Sequence, residues 1–334
     1  MSYEPQFLIT SRLLSRVEVI ARVQARIAGA AVEVAWIPGL QKDARTRNAH
    51  SSTAIEGNPL TLEQVRAVAD GAYVPAAGEK PRREVLNYFA ALRYIEGQPP
   101  TARITHEEIF RLHEIMAGGV MDQGEAGRYR SIQVRVGRHV PPAPEDVSGL
   151  MFELLEWWNS KALEVSPVLS SAVLHLRFEE IHPFADGNGR TGRALALWEL
   201  YRRGFDTHHI FSVDEFYWED RPRYYTALEE VEKADGDLTS WLEYVAEGLQ
   251  VTLERVWQRI QEIAAAAQSR RLVLRPKQEQ LLGLLSKNPR MTPVKLREAL
   301  GVSRQGTLDL LRPLMEAGLV VREGTSRSIH YRLA

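Results

Sequence analysis

Apolar residues recur every three to four positions through most of the chain, and each stretch with that period reads as an amphipathic helix with one face in a core. Residues 6–36 form the first, with Leu13, Val17, Ile20, Val23, Ile27 and Val32 on one stripe. A more polar run from Gln41 to Thr53 follows, stopped at Ala54-Ile55-Glu56-Gly57-Asn58-Pro59, where Gly and Pro come in helix-ending order. Thr61 caps a third helix, with Glu63 and Gln64 in its first turn where the helix dipole favours them. The same period runs through Val85, Tyr88, Phe89, Leu92 and Ile95, and again from the cap Thr105 through Ile109, Leu112 and Ile115 to Gly118-Gly119.

From Gly127 to Val140 the period changes to two, which predicts a half-exposed strand or hairpin ended by Pro141, Pro142 and Pro144. Helical spacing resumes over 146–163, 166–181, 190–203, 221–232 and 238–261. The alanines at 264–267 lead into Ser269-Arg270-Arg271, where a boundary is expected near residue 270. Beyond it, 277–287, 292–300 and 303–317 read as three short helices, and 319–322 and 329–332 as two strands. The chain should be mainly α.

Composition narrows this picture. The 334 residues, 44% hydrophobic and 25% charged, are ordinary for a globular chain of about two domains. The absence of cysteine excludes disulfides, thiolate metal sites and a cysteine nucleophile. The N-terminus has no basic segment followed by an apolar run, and no later run approaches the roughly 18 apolar residues of a membrane span. A cytoplasmic protein without a membrane partner is expected. The net charge of −1 hides an asymmetry, because Arg270 to Ala334 holds 13 Lys and Arg against 5 Asp and Glu. The tail is a basic module.

Candidate chemistry concentrates in His182-Pro183-Phe184-Ala185-Asp186-Gly187-Asn188-Gly189-Arg190-Thr191-Gly192-Arg193. Gly187, Asn188, Gly189 and the turn after them supply backbone N–H groups at a helix N-terminus, which makes an anion nest. Arg190 and Arg193 lie three apart on one helical face, within reach of one polyphosphate. Asp186 is placed to hold a divalent cation such as Mg2+ that shares phosphate oxygens, and His182 is the candidate base. Gly187 to Gly192 also spells G-x-G-x-x-G, but the dinucleotide reading needs a strand leading into the first glycine. Glu179 to Asp186, with Pro183, is too long and polar for that turn. A zinc site on His182 and Asp186 lacks further ligands nearby.

These residues resemble the signature of the Fic (filamentation induced by cAMP) family, H-P-F-x-[DE]-G-N-G-R-x-x-R, at every defined position from His182 to Arg193. The resemblance extends over most of residues 1–260, including Glu84, Asn87 and Tyr88, the segment from Arg128 to Val140, and Tyr224-Tyr225. It implies an α-helical bundle with a β-hairpin flap, divided as an N-terminal helical region (1–75), a catalytic core (76–262) and a further domain (270–334). It also implies transfer of AMP from ATP to a Ser, Thr or Tyr hydroxyl of a target protein. In that scheme His182 takes the hydroxyl proton, Asp186 holds magnesium, Gly187, Asn188 and Gly189 cradle phosphates, and Arg190 and Arg193 bind the outer ones. Thr191 and Gly192 complete the ATP-binding turn. The flap residues Val136, Gly137, Arg138 and His139 would border the nucleotide and align the target main chain by strand addition, and Tyr224 and Tyr225 would flank the nucleotide.

Family members also carry an inhibitory helix of the form [ST]-x-x-x-E-[GN], which Ser52 to Gly57 fits. By that analogy Glu56 pairs with Arg193 and denies it to the γ-phosphate. Removal of AMP, with Glu56 aligning water, is a second use of the same groups. The tail resembles a winged helix-turn-helix domain, which would present Arg304, Gln305 and Thr307 to a DNA major groove and Arg327 from the wing. Such domains also mediate protein contact, including homodimers. The alternative to an enzyme is a DNA-binding transcriptional regulator whose core senses nucleotide with little turnover.

Overall fold

Local capping decides where the helices begin. A computed structural model describes residues 3–30, 36–72, 74, 78–100, 103–205, 208–269, 274–316, 318–324 and 329–333. The Thr10 hydroxyl accepts from the Leu13 N–H, so α1 (Ser11–Ala28) starts there and not at residue 6. The residues before it run extended, with the Leu238 N–H donating to the Gln6 carbonyl at 2.8 Å. Helix α2 (Ile37–Ile55) has Pro38 in its first turn and ends at Glu56, where Gly57 takes φ +94°. A Thr61–Gln64 capping box opens α3 (Leu62–Ala69). Helices α4 (Glu79–Glu96), α5 (His106–Ala117) and α6 (Pro144–Trp158) follow, then a 3-10 turn at Lys161–Glu164.

Helices α7 (Pro167–Ile181) and α8 (Asn188–Arg202) form the centre. Both are buried around most of their circumference, which suits helices enclosed by others. Glu199 of α8 is fully buried and still satisfied: the Trp158 indole and the Ser170 hydroxyl each donate to it at 2.6 Å, and Arg203 donates at 3.2 Å. Helices α9 (Asp214–Glu219), α10 (Arg221–Lys233) and α11 (Thr239–Ser269) complete this part of the chain. No described helix is long and apolar enough to cross a membrane.

The expected hairpin from Gly127 to Val140 shrinks to its tip. Val136 and His139 exchange backbone hydrogen bonds of 3.1 and 2.9 Å around a two-residue turn with Gly137 at φ +57°, and the flanking residues form no ladder. Pro141 and Pro142 lack N–H donors, and the Gln133 side chain donates to the Pro141 carbonyl at 2.8 Å.

Contacts divide the chain into residues 1–259 and 260–334, inside α11 and ahead of the boundary expected near 270. The second unit has α12 (Pro276–Lys287), α13 (Pro293–Leu300), α14 (Arg304–Glu316) and an antiparallel pair, β1 (Val320–Glu323) and β2 (His330–Leu333). Leu281, Leu285, Leu296, Leu300, Leu311 and Leu314 fill its core with Val320 and Tyr331. Arg304 and Gln305 are exposed at the start of α14. Thr307 is not: it is buried with its hydroxyl on the Ser303 carbonyl at 3.0 Å, so it faces the core and not a groove. Arg327 lies outside the described residues.

Candidate active site

The chain leaves α7 through a left-handed residue. His182 has φ 49° and ψ 60°, a conformation that costs a side chain about 1–2 kcal/mol and must be held by its surroundings. Arg130 holds it. Its Nε donates to the His182 carbonyl at 2.8 Å, Nη2 donates to Pro142 at 2.6 Å and Ile181 at 3.4 Å, and Nη1 donates to Ile132 at 3.1 Å. The Arg130 N–H also donates to the Pro183 carbonyl at 2.9 Å. One guanidinium thus joins the Ile181 and His182 carbonyls at the end of α7 to the Ile132 and Pro142 carbonyls of the preceding segment.

The loop then turns into α8. The Asn188 amide bridges the turn, accepting from the Phe184 N–H and donating to the Phe184 carbonyl, both at 2.8 Å. Gly187 sits at φ +79°. The loop rests on His113, whose ring stacks on Phe184 with centroids 3.6 Å apart. His113 Nδ1 accepts from the Gly127 N–H at 2.9 Å, so Nε2 carries the hydrogen and donates to the Asp186 carbonyl at 2.9 Å. Burial pushes the pKa of His113 down to about 4, which keeps this neutral tautomer in place near neutral pH.

Arg193 is enclosed on all sides. Its Nε donates to the Ser52 hydroxyl, and Nη2 to the Ser52 carbonyl and the Glu56 carboxylate, each at 2.8 Å. The Tyr224 hydroxyl is 3.5 Å from Nη1, and the Asp214 carboxylate, which accepts from Tyr88 at 2.9 Å, is 3.8 Å from Nε. A Cβ added to Gly189 would fall on the Glu56 carboxylate. The glutamate therefore occupies the mouth of the α8 N-terminus, where free N–H groups and the helix dipole favour negative charge.

Arg190 is also buried, 3.4 Å from Glu84 and 3.6 Å from Asp186, yet its Nε and Nη1 have no hydrogen-bond partner. Glu84 accepts from Asn58 at 2.8 Å. Asp186 accepts the Gly187 N–H on Oδ1 at 2.6 Å and remains partly exposed. A carboxylate with one open oxygen beside a buried, under-bonded guanidinium fits a cation shared with phosphate.

Glu56, Val136, Gly137, His139, His182, Gly189, Arg193, Tyr224 and Tyr225 line one cleft of about 740 Å³. His139 fixes the turn over it: Nε2 pairs with the Glu180 carbonyl at 3.0 Å, and Nδ1 lies 3.9 Å from Glu232. The other expected residues are placed as follows. Arg138 is exposed on the turn and does not line the cleft. The Thr191 hydroxyl is buried on the Gly187 carbonyl at 2.8 Å, and Gly192 packs against Phe178 and Glu179. The Asn188 amide closes the loop, leaving only its backbone to the nest. Tyr224 lines the cleft although it is almost wholly buried, with its hydroxyl 3.1 Å from His175 Nε2. Tyr225 is half-buried, donating to the Ile55 carbonyl at 3.3 Å.

Arg130, His113, Asp214 and Glu179 escaped the motif reading. Each reaches the site from a segment whose local pattern is that of an ordinary core or cap residue.

The Fic/DOC family profile matches residues 103–200, and a winged helix-turn-helix DNA-binding profile matches residues 274–321. Protein adenylyltransferase Fic of Nematostella vectensis is 36% identical over 217 residues, covering 64% of this chain and 49% of that protein. Protein adenylyltransferase fic-1 of Caenorhabditis elegans is 34% identical over 211 residues, covering 62% and 40%. The chain spans about half or less of the length of these relatives. Among solved structures, a Fic family protein from Desulfovibrio desulfuricans G20 superposes with a TM-score of 0.71 at 28% identity, covering 99% of this chain and 98% of that one. Residues 134–508 of C. elegans Fic-1 superpose with a TM-score of 0.64 at 27% identity, over 77% and 73%. The chain therefore carries a Fic/DOC family domain followed by a C-terminal winged helix.

Proposed function

We propose that this chain is a protein adenylyltransferase held in an inhibited state by Glu56. The observation that carries the reading is the position of the Glu56 carboxylate: it bonds Arg193 and covers Gly189 at the N-terminus of α8, in the same cleft that His182 lines. An acidic side chain in an anion nest stands where a phosphate of ATP would bind, and a relative named protein adenylyltransferase shares the domain.

In the reaction, a target Ser, Thr or Tyr oxygen attacks the α-phosphorus of ATP and forms a new O–P bond. The bond from that phosphorus to the bridging oxygen breaks, pyrophosphate leaves with the electron pair, and the hydroxyl proton passes to His182. The backbone N–H groups of Gly187, Asn188 and Gly189 and the guanidiniums of Arg190 and Arg193 position the phosphates and neutralise them, which is where most of the catalysis of phosphoryl-type transfer lies. Magnesium, held by Asp186, would neutralise charge on the departing diphosphate. The turn at Val136–His139 would receive the target main chain.

Incubating the full chain and its Glu56→Gly variant with α-labelled ATP and magnesium tests this. Transfer predicts a labelled protein adduct with the mass of AMP, stronger in the variant and abolished by His182→Ala. No adduct from either chain, on itself or on added proteins, would sink it. For the second unit we propose duplex DNA as the partner, supported by the profile match and by exposed Arg304 and Gln305 at the start of α14.

A further inference from the structure

Two buried polar atoms beside the cleft, on side chains that approach each other, lack partners. His182 Nδ1 and Glu179 Oε1 are both enclosed without a hydrogen bond of good geometry; Nδ1 stands 3.8 Å from the other oxygen of the same carboxyl, Oε2, and the Glu179 carbonyl is the rival acceptor for its hydrogen. Native structures seldom leave such atoms unused. Glu179 lies in the last turn of α7, three residues before His182, and closing the 3.8 Å gap to the ~2.9 Å of a hydrogen bond needs a shift of about 1 Å. The neighbouring helix makes room for this carboxyl: a Cβ on Gly192 would lie 2.5 Å from Oε1. A side chain at position 192 would have to displace this carboxyl or be displaced by it.

We propose that Glu179 is the positioning partner of His182: it receives the Nδ1 hydrogen, leaves Nε2 bare toward the cleft, and stabilises the imidazolium formed when Nε2 takes the target's proton. The last clause rests on the adenylyl-transfer reading; the pairing itself does not. With the hydrogen fixed on Nδ1, the ring presents a lone pair to the hydroxyl, which an unfixed imidazole does only in one of its two tautomers.

Charge around the pair sets its pH behaviour. Glu179 faces His175 and His182 on α7, Arg193 on α8, Glu56 on α2 and Tyr224 on α10. Burial raises its pKa to about 8, Arg193 opposes the rise and Glu56 adds to it. Burial lowers His182 to about 4; the Glu179 carbonyl and Glu56 oppose that, and His139 and Arg130 reinforce it. Removing Glu56 therefore shifts Glu179 toward its ionised form. Transfer should then rise with pH, with a midpoint at or below about 8.

The test uses the full-length Glu56→Gly chain with labelled ATP from pH 6 to 9, comparing Glu179 with Glu179→Gln and Glu179→Ala. The proposal predicts that Glu179→Gln keeps ATP affinity, slows adduct formation roughly 10- to 100-fold and flattens the alkaline rise. An unchanged rate and profile, or a loss confined to ATP affinity, overturns it. If Glu179→Gln does not fold, Gly192→Ala displaces the same carboxyl and should give the same loss. A second readout is independent of turnover: 15N NMR titration of the His182 ring, assigned by His182→Ala. It should show hydrogen on Nδ1, and a lower His182 pKa in Glu179→Gln. If Glu56→Gly makes no adduct, the transferase reading fails while the titration still decides the pairing, and an unchanged His182 pKa overturns it.

Discussion

Arg130 Nε donates to the His182 carbonyl at 2.8 Å, and this bond fastens the left-handed turn that carries the imidazole into the cleft. Arg130→Ala leaves several buried carbonyls unpaired, and a loss of about 2–4 kcal/mol of stability is expected. Arg130→Lys has one ammonium for carbonyls that diverge, so it should recover only part of that. Chemical denaturation measures the first effect, and adduct formation in a Glu56→Gly background measures the displacement of His182. Equal stability of Arg130→Ala and the parent would contradict this role.

Charge and bulk at Glu56 separate. Glu56→Gly removes both and should raise AMP incorporation by roughly tenfold or more, whereas Glu56→Gln keeps the bulk over Gly189 and should fall between. Arg193→Ala added to Glu56→Gly should abolish the gain, because on the proposed reading the same guanidinium would serve the phosphate. Labelled ATP incorporation at equal protein concentration distinguishes the three.

Acid should weaken the first unit earlier than its carboxylates alone would dictate. His113 and His182 are held neutral with pKa near 4, and His175 near 3, all through burial. Their folded values lie below the ordinary 6.5, so their stabilising contribution is complete above 6.5 and is lost as pH falls from there toward 4. For His113 the limiting loss is about 3 kcal/mol. Denaturation midpoints at pH 7, 6 and 5 should decline, and His113→Gln, already weaker at pH 7, should decline less.

Glu199 tests the buried network at the far end of α8. Glu199→Ala strands Trp158 Nε1, the Ser170 hydroxyl and two arginines in the interior, at an expected cost of about 3–5 kcal/mol. Thermal melting reads this, and ATP affinity of the surviving folded fraction should be unchanged.

Arg304→Ala should weaken duplex DNA binding by the full chain and reduce its salt slope by about one, as loss of one phosphate contact does. Thr307→Ser should leave binding unchanged. Titrations at two salt concentrations check both.

The helical order and the site's position were legible because the signature packs its chemistry into consecutive residues and its flanking helices keep a regular period. What escaped depended on contacts distant in sequence. Arg130 lies 52 positions from His182, in a stretch whose alternation suggested a strand. The strand itself was overcalled because alternation reports side-chain polarity and not whether a partner exists to complete a ladder. Thr307 carried a readable signal, since it falls on the stripe of Leu310, Leu311 and Leu314, and that periodicity points inward. The first helix was drawn too long because its apolar stripe gives no start point, whereas Thr10 does.

Gly189 gives this site a one-sided route to escape. A Cβ there would meet the Glu56 carboxylate, and on the proposed reading it would crowd a phosphate held in the same nest. On the proposed reading, substitutions at position 189 that displace Glu56 would also spoil the phosphate nest, while α2 could lose its glutamate without that loss. A selection for hyperactive variants should return changes at the end of α2 and none at position 189, so the proposed restraint would be lost through one helix and not through that position of the other.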